Sequence, residues 1–275
     1  MSDLYQSLKL SVEELSLLYS SLGKNAEANK ILKEAHQNFD ELDLDALLSS
    51  AGHSLLARGY CSIDNRDQLI IKKEVKKVIE ILVGQDQIFF INILSGANPL
   101  NITIFNHSTG MFCSVYNSEN IVFTLEYGLS KNLAKYLNFL LADIVVVSEE
   151  NILNAKCSGL PIRYSTLPKA LEAGVPKKIY TSLIDLGWNP KDAKGLTEDI
   201  KAQVLRGTIV RFSGTKGSFS SLEDFEVASR ASILLLRGLK RSWAFTFGDT
   251  KSDDEGDAQN VDGQSFEKIL SEFVD

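Results

Sequence analysis

Gln87–Glu126, QIFFINILSGANPLNITIFNHSTGMFCSVYNSENIVFTLE, decides the fold class. Four β-branched and aromatic runs stand in it: Ile88–Leu94, Asn101–Asn106, Met111–Tyr116 and Ile121–Glu126. Between them lie Ser-Gly-Ala-Asn-Pro, His-Ser-Thr-Gly and Asn-Ser-Glu-Asn, which are turn compositions. Parallel strands need a long crossover, so connections this short predict an antiparallel meander. On its C-terminal side a helix over Ser130–Leu141 closes the meander.

Upstream the period is helical. Ser11-Val-Glu-Glu14 reads as a capping box, with Leu15, Leu18 and Leu22 behind it and Gly23 as a stop. An alanine- and lysine-rich stretch follows over Ala26–Ala35. A helix from about Asp43, with Leu44, Leu47, Leu48, Ala51, Leu55 and Leu56 apolar, ends at Gly59. The last helix before the meander spans Lys72–Leu82, with Val75, Val78, Ile79 and Leu82 on its apolar side.

Downstream the same order returns. Short helical stretches are expected over Glu149–Lys156 and Leu167–Ala173, and a longer one over Pro176–Leu186, opened by proline in its first turn. Thr197-Glu-Asp-Ile200 begins another, which ends near Arg206-Gly207. Strand-like runs follow at Thr208–Phe212, Phe225–Ser229, Ser232–Leu236 and Trp243–Phe247, then a polar insertion and a final helix over Ser265–Val274. Each half therefore reads helices, strands, terminal helix. The expectation is one α+β domain over 1–275, with a central, mainly antiparallel sheet shared by two pseudo-symmetric halves, 1–145 and 146–275, each burying the other's edge and each with its own helical bundle.

Composition narrows the function. The chain has 275 residues, of which 44% are apolar and 24% charged, so it can bury a large core. Its net charge of −7 disfavours general binding to nucleic acid or anionic membranes. The N-terminus lacks a signal-peptide pattern and the apolar runs are too short to span a bilayer, so the expected location is cytoplasmic. The three cysteines, Cys61, Cys113 and Cys157, form no metal-binding spacing.

Ser182-Leu-Ile-Asp-Leu-Gly-Trp-Asn-Pro-Lys-Asp-Ala-Lys-Gly-Leu196, followed by Val204-Leu-Arg-Gly-Thr-Ile-Val210, resembles the EspG-like proteins associated with type VII (ESX) secretion. Leu55-Leu-Ala-Arg-Gly-Tyr60 is similar to that family's helix-ending turn. Trp243–Thr250 is similar to its strand followed by Asp-Thr, although Lys251-Ser-Asp-Asp-Glu-Gly256 replaces the glycine–arginine pattern usual after it. The resemblance implies a single antiparallel sheet flanked by two helical bundles, and a cytosolic chaperone for secreted PE–PPE protein pairs. Its contact loops vary, so it transfers no contact residue.

Little in the chain suggests catalysis. His36, His53 and His107 are isolated in sequence, and a general base needs an orienting partner. Gly214-Thr-Lys-Gly-Ser218 lacks the phosphate-loop spacing and reads as a turn. The acidic run Asp249–Asp257, extended by Asp262, puts Lys251 at the first ligand position of a calcium loop and reads as a solvated loop. No cofactor or metal is expected.

Tyr180, Leu183 and Trp188 are the candidate partner-binding residues, aromatic-rich and on or just after the Pro176 helix, although their spacing equally suits a core. Lys72, Lys73, Lys76 and Lys77 give a basic helix face that would suit a winged-helix DNA reader. Three functions follow: a non-enzymatic chaperone-like module binding a small helical protein, a winged-helix DNA-binding regulator, and an enzyme of unfamiliar type.

Overall fold

A computed structural model describes residues 5–36, 41–66, 68–95, 98–118, 122–144, 160–163, 176–202, 205–214, 229–238, 241–248 and 255–275. The four runs of the opening stretch are strands β4 (Gln87–Ser95), β5 (Asn98–His107), β6 (Met111–Ser118) and β7 (Val122–Leu129). Each extends beyond its apolar centre. Before them come β1 (Gln6–Ser11), α1 (Val12–Ser21), α2 (Asn25–Ala35), α3 (Glu41–Ala57), β2 (Cys61–Ile63), β3 (Leu69–Ile71) and α4 (Lys73–Val83). A 3₁₀ turn over Ser130–Asn132 leads into α5 (Leu133–Leu140).

The second half contributes β8 (Leu160–Arg163), α6 (Pro176–Asp185), α7 (Pro190–Ala202), β9 (Leu205–Ser213), β10 (Ser229–Arg237), β11 (Ser242–Phe247), β12 (Glu255–Val261) and α8 (Gly263–Val274). The expected helices Glu149–Lys156 and Leu167–Ala173, the turn after Gly214, and the stretch from Phe225 to Ala228 lie outside the described residues.

The strand order of the large sheet is β1-β7-β6-β5-β4-β9-β10-β11-β12-β8. Taken from its middle, each half lays down four consecutive strands and then an edge strand that precedes its own helices in sequence. β4 corresponds to β9, β5 to β10, β6 to β11, β7 to β12, and β1 to β8. The described pairings are antiparallel, among them Leu8↔Leu125, Leu234↔Phe245 and Ala258↔Leu160. The fold is α+β, with the expected repeat of element order.

Two readings are corrected. The polar insertion is not all loop: Glu255–Val261 is β12, paired with β11 on one side and β8 on the other, with Ala258 and Val261 fully buried. Helix α7 begins not at Thr197 but at Pro190, where the Asn189 side-chain oxygen accepts from the Asp192 amide at 2.9 Å. Proline lacks the amide that the first helical turn would leave free, so an Asn-Pro pair starts a helix well.

The chain divides into two compact units. One comprises 1–88, 102–130 and 214–227; the other comprises 89–101, 131–213 and 228–275. In the first, α1 packs on α2, α3 and β1, and its core includes Leu10, Leu15, Leu18, Tyr19, Leu55 and Val78. In the second, α6 packs on α7 and α5 on α8, over a core containing Phe245, Trp243, Leu196 and Phe266.

Candidate partner-binding surfaces

The three candidate residues of the second half are distributed between core and margin. Leu183 is 1% exposed and Trp188 3%, and both belong to one apolar cluster with Leu196, Ile200, Trp243 and Phe245. Tyr180 is partly buried against the same cluster. Gly187, at φ 89°, ends α6, and the Trp188 amide donates to the Leu183 carbonyl, the pattern of a left-handed C-cap. That cap turns the indole inward, where it lies 5.9 Å from the Trp243 ring and donates Nε1–H to the Pro161 carbonyl at 2.7 Å. Leu183 and Trp188 thus hold the bundle to the sheet and are closed to a partner in this conformation; of the three, Tyr180 alone is only partly buried.

Beneath α7 sits a polar centre that sequence reading missed. Asp199, 4% exposed, accepts from Arg241 Nε at 2.8 Å and from Trp243 Nε1 at 2.9 Å. Burial pushes its carboxyl up, while Trp243 and Arg241 pull it back down without cancelling the rise. Gly195 and Gly238 allow this packing, because a Cβ on either would overlap Arg241 or Asp199. Both hydrogen bonds fall on one carboxylate oxygen, Oδ2.

In the first unit the capping box joins a larger network. Ser11 caps α1, and Glu14, 3% exposed, accepts from the Ser11 amide, Ser54 Oγ and, at both carboxylate oxygens, Arg58 Nη1. Arg58 Nη2 reaches the Lys9 carbonyl at 2.5 Å and Tyr60 Oη at 3.2 Å. A cleft of about 420 Å³ opens here, lined by Lys9, Ser11, Glu13, Leu47 and Ala51 among others.

Ser11 and Glu13 line this cleft and His36 meets Glu13, but in the wrong order for nucleophilic catalysis. Ser11 Oγ donates to Glu13 at 2.6 Å, and His36 Nε2 lies 2.6 Å from the other Glu13 oxygen, so the carboxylate stands between hydroxyl and imidazole. A serine nucleophile needs the imidazole beside it. Burial raises the Glu13 carboxyl, yet hydrogen bonds from Ser11, the backbone and His36 hold it below its usual value, making it a weak base.

Lys72, Lys73, Lys76 and Lys77 are exposed around the start of α4, as the sequence predicts. A helix-turn-helix joins its helices by a tight turn. Here the separate two-stranded sheet β2-β3 stands between α3 and α4, and α4 leads directly into β4. Among exposed large apolar side chains, Ile63 and Ile70 lie on that ribbon, Leu94 and Leu100 on β4 and β5, and Phe139 on α5. The described residues contain no cluster of metal-binding type and no helix long and apolar enough to cross a membrane.

No protein-family model matches the chain, and no curated protein matches it in sequence. Among solved structures, the chain is similar to the type VII secretion system chaperone EspG5 of Mycobacterium tuberculosis, determined in complex with a PE25–PPE41 dimer. The TM-score is 0.59 at 8% identity, over 97% of this chain and 95% of that one. At that identity the likeness establishes a shared, EspG-like fold.

Proposed function

We propose that this chain is a non-enzymatic, cytoplasmic, chaperone-like module that binds a small helical protein, with halves 1–145 and 146–275 acting as one EspG-like domain. The observation that carries the reading is the fold likeness across nearly the whole chain to a chaperone determined with its protein dimer bound. Supporting it, the buried Glu14 carboxylate has hydrogen-bond donors at both oxygens from within the chain, whereas Ile63 and Ile70 are exposed on one ribbon. The reading requires no cofactor, nucleic acid or membrane.

The test is affinity capture of the tagged chain from its native host, followed by reconstitution of any recurring partner from purified components. A helical protein that forms a discrete complex supports the reading. Absence of any recurring partner, or a recurring partner that fails to bind when purified, contradicts it.

A further inference from the structure

Resting on that protein-binding reading, we propose that the β2-β3 ribbon and the start of α4 form the docking element for an acidic pair of partner helices, which grips the ribbon on both faces.

The ribbon is unusual in what it exposes. It belongs to a two-stranded sheet separate from the large one, and two-stranded sheets in water are marginal without added support. Its base is anchored by buried Cys61, paired with Ile71, and by the Lys72 amide donating to the Tyr60 carbonyl at 2.9 Å. Its turn is tied by Asp64, whose Oδ1 accepts from the Arg66 and Gln68 amides at 2.8 Å each. The Arg66 and Gln68 amides are therefore held before any partner arrives, which lowers the ordering cost of binding.

Beyond the base two isoleucines stand exposed, while Leu69 is half-buried. Ile63 is 56% exposed and Ile70 49%. Ile63 pairs with Leu69 and Ile70 with Ser62, and successive cross-strand pairs lie on opposite faces of a ribbon. The ribbon thus offers one exposed isoleucine on each face, Ile71 on the Ile63 side being half-buried, so a single flat surface cannot bury both. A groove between two helices can.

Charge gives the sign of that groove. Between Cys61 and Lys77 five basic residues stand against three acidic ones, in a chain whose net charge is −7. Lys72, Lys73 and Lys77 are exposed and have no ion-pair partner among the described residues, while Lys76 reaches Glu80 only at 3.8 Å. Carboxylates flanking an apolar groove complement this arrangement. DNA would leave both isoleucines uncovered, and an anionic bilayer would meet the charge of the rest of the chain.

The experiment uses the full chain and a fluorescein-labelled synthetic helical hairpin with leucines lining its groove and glutamates flanking it, followed by anisotropy. Controls are the same hairpin with lysines for glutamates, a DNA duplex of about 20 base pairs, long enough to span two turns of its groove, and phosphatidylserine vesicles. The expected result is saturable binding of the acidic hairpin alone, weakened about tenfold by Ile63→Ser and by Ile70→Ser separately, and by about as much in the K72S/K73S/K77S variant. All these positions are exposed, and an unchanged thermal transition confirms that each variant is folded. The inference is overturned if the acidic hairpin does not bind, if only one isoleucine matters, or if DNA or vesicles bind in its place. Should a partner recur in the capture experiment yet bind the I63S/I70S variant as tightly as the unaltered chain, the docking element is wrong while the protein-binding function stands.

Discussion

Trp188 donates its indole N–H to the carbonyl of Pro161 at 2.7 Å, capping one carbonyl of β8, an edge strand of the large sheet. At the other edge Arg58 does the same for the Lys9 carbonyl of β1. Strand edges invite pairing with other chains, and at each edge a side-chain donor from just beyond a following helix occupies one strand carbonyl. Trp188→Phe keeps most of the buried ring but leaves that carbonyl unpaired, at an expected cost of about 1–2 kcal/mol. Trp188→Ala empties the space beside Trp243 and should cost about 3–5 kcal/mol. Urea unfolding followed by circular dichroism measures both; equal losses would show that the hydrogen bond, not the packing, dominates.

Arg58 also neutralises a carboxylate that is almost wholly buried. Arg58→Ala leaves Glu14 with only the Ser11 amide and Ser54 as described donors, and breaking such a pair costs about 3–5 kcal/mol. The double variant E14Q/R58A should recover part of that loss, because the uncompensated charge is gone. Unfolding free energies for the cycle decide the point.

The close approach at Gly238 is a third dependence. A Cβ there would sit 2.5 Å from the Asp199 Cβ, where no flexible tip can swing away. Gly238→Ala should destabilise by about 2 kcal/mol and perturb the near-ultraviolet dichroism of Trp243, which shares Asp199. An unchanged spectrum would mean that Asp199 moves without cost.

The start of α8 gives a pH dependence with a definite sign. Hydrogen bonds from Ser265, side chain and backbone, hold the Asp262 carboxyl below its ordinary value of 3.8. A depressed folded-state pKa adds stability that is present above the ordinary value and lost as pH falls through the folded value. Asp262→Asn should keep most of the cap and remove that part of the acid dependence, whereas Asp262→Ala costs about 1 kcal/mol at neutral pH. Unfolding midpoints at neutral pH and below the ordinary aspartate pKa separate the variants.

How much of this was legible depended on how local the signal was. The Ser11–Glu14 box, the meander β4 to β7 and the helix expected over Pro176–Leu186 carry their signals within a few residues, and the structure contains all three, the helix as Pro176–Asp185. Strand β1 has only Leu8 and Leu10 as buried apolar positions, and its partner β7 lies more than a hundred residues away. Strand β12 reads as a polar loop because its place depends on the apolar β11 beside it. The same holds at the candidate sites. The lysines of α4 were legible as an exposed face, but Trp188 could be assigned to the core only once the Pro161 carbonyl and the Trp243 ring stood next to it. Arg58 and Asp199 were invisible as centres, because their partners come from distant elements.

A protein-binding role is tested most simply by sedimentation velocity of the purified chain with the purified partner recovered by capture from the host. The expected outcome is a discrete, faster-sedimenting complex whose amount saturates at a fixed ratio of the two proteins. Two proteins that sediment independently at micromolar concentration would refute that role.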